Sequence, residues 1–489
     1  MEWSQYRTRP GFHDAMVDAD GVPRPACRLL AEQIAASGLH GLQALQRTAE
    51  LSRLNQGITF TVYADEQGTE KIFPIDVVPR IVTARDWARL EAGLVQRLRA
   101  LNFFLRDLYG PQRILKDGIV PTDLVTQSPH FCREMKDLAV PGGVFIHVSG
   151  TDLIQGDGGE FLVLEDNLRV PSGVSYVLEN RIVMSRVLPD LLQRCHVSPV
   201  DHYPQMLLAA LRSVAPCDDP TVAVLTPGIY NSAYFEHSFL AAQMGVQLVE
   251  GGDLVVDQDV LWMKTTSGLQ RVDVLYRRVD DEFLDPIAFR QDSLLGVPGI
   301  MNALRAGNLV LANAPGAGVV DDKAMYAYVP RAIRYYLEEE PLLGQVPTFL
   351  CREPKDLAFV LDHLEDLVLK PTDGSGGYGL LVGSAANRAQ LDEARAALRA
   401  RPERFIAQPI QRLATLPTLA EGERPGLVAR HVDLRPFAVY GRDDEVSVLR
   451  GGLTRVALRE GSLVVNSSQG GGSKDTWVLR EGLGEDLAC

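Results

Sequence analysis

Long apolar runs are missing from this sequence. Nothing in its 489 residues approaches the roughly 20 consecutive apolar residues of a membrane-spanning helix. The opening MEWSQYRTRPGFHDAM carries no apolar signal region, so a cytoplasmic protein with no membrane partner is expected. Basic charge is also short. Lys and Arg number 49 against 63 Asp and Glu, giving a net charge of −14 and a pI near 5.2. A nucleic-acid partner normally needs a basic face, so none is expected, although a local basic pocket stays open. Cysteine is thin: Cys27, Cys132, Cys195, Cys217, Cys351 and Cys489 form no C-x-x-C and stand at no zinc spacing to histidine. Cysteine catalysis and structural zinc are both disfavoured. There is no internal repeat and no low-complexity segment.

What is present is the composition of a soluble globular protein, 46% hydrophobic and 23% charged. The length exceeds one ordinary core, and two or three domains are expected. The most informative stretch is DLVLKPTDGSGGYGLLVG, from Asp366. Two short apolar runs flank four glycines, Gly374, Gly376, Gly377 and Gly379, and Lys370 ends the first run. Apolar runs joined by glycine read as a hairpin. Glycines let successive N–H groups face an anion, and a lysine at the rim adds charge. The reading is a flap over nucleotide phosphates, with a plain sheet turn as its alternative. Three competing motifs are weaker. G-x-G-x-x-G needs a helix to open within the glycines, but Leu380-Leu381-Val382 continues as strand. A P-loop needs a closing G-K-[ST], which is absent. A protein kinase needs H-R-D-L-x-x-x-N and D-F-G; His431-Val432-Asp433-Leu434 imitates the first, but Ala438 replaces the Asn and no D-F-G occurs.

Residues 143–170 read as two strands around a turn, GVFIHVSGTDL, IQGDGG and EFLVLEDNLRV. Paired antiparallel, they bring Asp152 near Glu165 and Asn167. Glu165 and Asn167 share a face because side chains two apart on a strand do, while Asp166 points away. Carboxylate and amide oxygens at one spot suit Mg2+; the alternative is an acidic end to an exposed strand. Arg169 and Ser172-Gly173 follow and stand within reach of phosphate. A strand–helix–strand crossover is expected over 221–249, with ligands at the carboxyl ends of its strands. Arg277-Arg278 at a later strand end would hold a carboxylate or phosphate, or form a solvated salt-bridge cluster. A helix with one apolar face is expected from about Thr83 to Leu108, and another near Asp321-Asp322-Lys323. Phe405–Ile410 reads as a strand ending in a hinge. Strands near Leu427–Arg435, Phe437–Tyr440, Val446–Leu449 and Leu453–Leu458 carry Arg435, Arg450 and Arg455, and Asn466–Lys474 is a second glycine-rich loop.

Taken together, VLEDNLRVPSGVSYVLENR at 163–181, DDKAMYAYVP at 321–330, VLKPTDGSGGYG at 368–379, IAQPIQ at 406–411, DLRPFAVYG at 433–441 and NSSQGGGSKDTWVL at 466–479 resemble the circularly permuted ATP-grasp family. The similarity is greatest to the bacterial glutathionylspermidine synthase-like group, which is related to eukaryotic glutathione synthetase. In the ordinary order the metal carboxylates follow the glycine-rich lid; here E-D-N precedes it.

The resemblance implies an α+β and α/β fold, a circularly permuted ATP-grasp with an inserted open α/β domain. The expected division is 1–70, an N-terminal helical and hairpin segment; 71–215, the core with the metal strands; 216–320, the α/β substrate-side domain; and 321–489, lid, hinge and closing strands. It implies ATP contacts from Lys323, Lys370, Gly374, Ser375, Gly376, Gly377, Gln408 and Ile410, and Mg2+ on Asp152, Glu165 and Asn167. Arg435 and Arg450 would contact phosphate or an acyl-phosphate. Asp373, short for the loop acid that reaches metal in glutathione-synthesising relatives, is left open. The implied reaction is ATP-dependent ligation of a small-molecule or peptide carboxylate to an amine. The alternatives are a phosphotransferase and a catalytically silent nucleotide-binding module serving a partner.

Overall fold

The computed structural model describes residues 6–56, 59–62, 69–374, 379–420, 425–458, 465 and 471–481. Its centre is a ten-stranded sheet. Along its main path lie Gly344–Gln345, Phe161–Asn167, Val148–Gln155, Gly426–Arg435, Leu453–Val456, Gly472–Val478 and Ile75–Val82. The final pair is parallel, with Ser473 beside Ile75 and Trp477 beside Ile81. Ile75–Val82 is buried at every position, and Pro79 is tolerated within it because this strand ends the path. The sequence suggests only the close of a hairpin there; the strand's partner lies some 400 residues on, outside any local pattern.

The helix Ala84–Leu108 forms on the periodic face expected of it. Thr83 caps it, accepting from Asp86 N at 3.0 Å. Its apolar stripe, Trp87, Leu90, Leu94, Leu98, Leu101 and Leu105, enters the main core. In the N-terminal segment a helical stretch, Arg28–Gln56, kinks at Gly38, whose φ of 60° is open to glycine.

The inserted region holds a four-stranded, all-parallel sheet in the order Val310–Ala312, Val274–Arg277, Val222–Leu225, Gln247–Val249. The expected crossover helix, Tyr234–Met244, joins two of these strands. A third antiparallel layer contains Phe349–Leu350, Phe405–Pro409, Leu367–Pro371 and Leu381–Val382. Alternation gives this layer two distinct faces. Leu367, Leu369 and Ala407 pack with Val360, Leu391 and Leu398 from its own two helices. Val368, Lys370, Ile406 and Gln408 face the other way. Within 321–489, residues 349–409 build this layer and residues 415–478 return to the central sheet. Among the described residues, no helix is long and apolar enough to cross a membrane.

Candidate active site

The site is built on the hairpin of Val148–Gln155 and Phe161–Asn167. Its register sets Asp152 opposite Glu165, Thr151 opposite Asp166 and Gly150 opposite Asn167. Asp152, Glu165 and Asn167 therefore share a face. Asp166 takes the other, where Arg97 holds it at 2.6–2.9 Å. Glu165 and Asn167 line a polar cleft of about 240 Å³ together with Arg169, Asp280, Asp321, Lys323 and Arg435. Asp321 accepts from the backbone N–H of Leu168 at 2.8 Å and of Arg169 at 3.1 Å. It thereby ties the turn after the hairpin to the helix bearing Lys323.

Lys323 opens the helix Lys323–Tyr326, capped by Asp322. Its Nζ lies 3.5 Å from Glu165 and donates to Gly374 O at 2.6 Å. Lys323 N also donates to Thr372 O at 3.1 Å, so this helix touches the lid loop through both backbone and side chain. Lys370 is buried, 8% exposed, on the strand Leu367–Pro371 opposite Ile406. Burial pulls its ammonium below the ordinary 10.5; Glu165 and Asp152 draw it back up, and Lys323 opposes them. Charges from three other stretches of chain thus act on Lys370, and two of them, Glu165 and Lys323, line the cleft. Gln408, on the same lid face, donates Nε2 to Thr348 Oγ1 at 3.0 Å, while its buried Oε1 has no partner among the described residues. Ile410 N donates to Asp366 O at 3.2 Å. Ser375, Gly376 and Gly377 lie outside the described residues, as do positions 466–470 of the second glycine-rich loop.

Lys370 yields a pH prediction. A bound polyphosphate raises the pKa of this ammonium again, so the bound state holds the proton more tightly. Affinity is then full below the free-state pKa and is lost as pH rises through the bound-state pKa. Calorimetry of MgATP binding at alkaline pH, in two buffers of different ionisation enthalpy, is expected to show net proton uptake. Lys370→Arg should abolish that uptake.

Asp152 departs from its expected metal role. It is 1% exposed, and both its oxygens accept from guanidinium groups: Arg435 at 2.5 and 2.9 Å and Arg455 at 2.7 Å. Burial works against its charge, but Arg435 and Arg455 override that and hold it well below the usual carboxylate range. Arg435 lines the cleft. Arg450 does not: it is exposed and pairs at 3.6 Å with Glu91. The arginine that joins the site's charges is Arg455, opposite Asp433 in register. Its signal was the acid–base pattern along two strands, but which strands pair cannot be read locally. Asp373 accepts from Arg404 at 3.0 Å. Arg277 and Arg278 are structural. Arg277 donates to Asn313 O and Val279 O, each at 2.7 Å. Arg278 pairs with fully buried Glu236 at 3.0 Å.

The residues present fit Mg2+ with a reduced protein set. Glu165 offers a carboxylate and Asn167 an amide whose buried Nδ2 has no partner, on one face of one strand. Among the described residues no cluster of three or more His, Cys, Asp or Glu is arranged for a metal. Mg2+ commonly needs only one or two protein groups, with phosphate and water completing its shell.

Comparison with known proteins agrees with this architecture. The profile of the circularly permuted ATP-grasp type 2 family matches residues 79–457. An uncharacterized protein of Synechocystis sp. is 54% identical over 96% of this chain and 98% of its own. One from Mycobacterium tuberculosis is 53% identical over 95% and 84%. A Frankia casuarinae protein named as a candidate glutamate–cysteine ligase is 44% identical over 97% of this chain, which spans only 54% of that longer protein. Among solved structures, a glutathione synthetase-like effector from Globodera pallida in its apo form superposes with a TM-score of 0.58. It is 12% identical and covers 90% of this chain and 98% of its own. The chain therefore belongs to the circularly permuted ATP-grasp type 2 family.

Proposed function

We propose that this protein is an ATP-dependent carboxylate–amine ligase that works through an acyl-phosphate. Family membership supports an ATP-dependent ligase in general. The finer reading is carried by one observation: Lys323, which lines the cleft with Glu165, stands 3.5 Å from that carboxylate and donates to Gly374 O at 2.6 Å, so the helix, the glycine-rich loop and the acidic strand meet there, with Lys370 near enough for Glu165, Lys323 and Asp152 to act on its charge. Such a set binds a charged polyphosphate and spreads the charge that develops in phosphoryl transfer. Magnesium, when held by Glu165 and Asn167, would neutralise the triphosphate and polarise its terminal phosphate.

In this reading Lys323 and Lys370 hold the phosphates, and the glycine-rich loop carrying Gly374, Ser375, Gly376 and Gly377 covers them. Gln408 and Ile410 lie along the adenine, where the free Gln408 Oε1 offers an acceptor. Arg435 faces the γ-phosphate. A carboxylate oxygen of the acid attacks the γ-phosphorus, the bond to ADP breaks, and its electrons leave on the ADP oxygen. An amine nitrogen then attacks the acyl carbon and phosphate departs, with the surplus amine proton passing to phosphate or water. No covalent nucleophile from the protein is needed. The names of the Frankia protein and of the solved neighbour favour an amino acid or small peptide as the acid. A cytoplasmic location, with its ATP supply, suits this chemistry.

Trapping tests the reading. The protein, MgATP and a panel of amino acids, peptides and polyamines are incubated with hydroxylamine. A hydroxamate formed in step with ADP is the expected result, because hydroxylamine intercepts only an activated acyl group. ADP with a phosphorylated product and no hydroxamate would mean a phosphotransferase. Calorimetric ATP binding without any turnover would mean a silent nucleotide-binding module.

A further inference from the structure

The face of the central sheet that carries Glu165 continues as a row of charges across three more strands. Asp152 stands opposite Glu165. On the next strand, Asp433 and Arg435 share this face, and Arg455 lies opposite Asp433 on the strand beyond. The contacts along the row are all ionic. Arg455 Nε donates to both Asp433 oxygens, at 2.9 and 3.0 Å, and its Nη2 reaches Asp152 at 2.7 Å. Asp152 in turn accepts Arg435 Nε and Nη2. Arg435 Nη1 donates to Ser172 O at 3.2 Å. Arg435 is thus gripped at all three nitrogens, yet keeps unshared hydrogens on a surface that lines the cleft.

We infer that Asp152 is a positioning residue and no magnesium ligand: with Arg455 and Asp433 behind it, it fixes the Arg435 guanidinium where the terminal phosphate of the nucleotide lies. This rests on the cleft being the MgATP site. Two acids and two bases make the row formally neutral, so its members need no counter-ion from the cleft. Recruiting Asp152 to a metal would strip Arg435 and Arg455 of a buried anion at a site 1% exposed, where unpaired charge is strongly disfavoured. A guanidinium locked before the ligand arrives loses little freedom on binding it, and that is the use of such a row.

The test is the ratio of MgATP to MgADP affinity, which isolates the terminal phosphate and needs no knowledge of the acid. Wild-type protein is expected to prefer MgATP. Arg435→Lys should lose that preference. Asp152→Asn, which keeps the side-chain shape, should lower it by about tenfold with MgADP affinity unchanged, the scale of one misaligned charge-assisted hydrogen bond. Arg455→Lys should move it the same way by less. The double variant Asp152→Asn/Arg435→Lys should be no worse than Arg435→Lys alone. The Mg2+ concentration needed for nucleotide binding should stay unchanged in Asp152→Asn and rise in Glu165→Gln.

Three results would overturn the inference while leaving the nucleotide site standing. A higher Mg2+ requirement in Asp152→Asn, like that of Glu165→Gln, makes Asp152 a ligand. An intact ATP preference in Asp152→Asn gives it a purely structural role, and additive losses in the double variant uncouple it from Arg435. Wild-type protein that binds neither nucleotide removes the proposed function itself and this inference with it.

Discussion

Lys370→Ala and Glu165→Ala are each expected to lower MgATP turnover by about 10³-fold, the scale seen when one group stabilising a transition-state charge is removed. Neither should unfold the protein. Lys370 is buried, and burial disfavours its charge, so its loss relieves a desolvated ammonium. Thermal stability of Lys370→Ala should equal or exceed wild type. Glu165 pairs with Lys323 at 3.5 Å, and partly exposed pairs contribute little to stability. A residue whose removal ruins activity and spares the fold is held for function. Rates of ADP release, read beside melting curves, check both halves. Unchanged turnover in both variants would dissolve the assigned site.

Asp76→Ala should do the reverse, damaging the fold. Lys474 is wholly buried, with Nζ held by Asp76, by Val78 O at 3.1 Å and by Pro417 O at 2.9 Å. Asp76 also accepts from Val78 N at 3.0 Å and Leu419 N at 2.7 Å. Removing the acid leaves an uncompensated ammonium in the core, a loss of about 3–5 kcal/mol and a large share of a typical domain's stability. Lys474→Met, which removes the charge and keeps most of the volume, should be much milder. Burial already lowers the Lys474 pKa, and Asp76 opposes that. Without Asp76 the folded pKa falls further below the unfolded value, and the unfolded state binds more protons. The deficit of Asp76→Ala should therefore shrink as pH rises. Urea midpoints across alkaline pH measure it.

These contrasting lysines show what was legible in the sequence. Lys370 stands beside its glycines in one contiguous motif, and the hairpin bearing Glu165 and Asn167 follows from strand alternation alone. The parallel sheet was likewise readable, because crossover units are local. Arg455 and the true setting of Asp152 were not, since both depend on which strands lie side by side. Arg450 lies between the strands Val446–Val448 and Leu453–Val456, and its pairing with Glu91, on a helix that precedes it by hundreds of residues, could not be read locally either. The strand Ile75–Val82 reads as a hairpin's end because its partner, Gly472–Val478, is at the other end of the sequence.

That last pairing has a consequence for biogenesis. During synthesis the Ile75–Val82 segment leaves the ribosome long before Gly472–Val478 exists to cover its edge. Slow, non-local closure of this kind leaves apolar strand surface open to wrong partners. Chaperone occupancy on the nascent chain should persist until Gly472–Val478 has emerged, and stop codons placed before it should yield aggregates rather than a smaller folded protein.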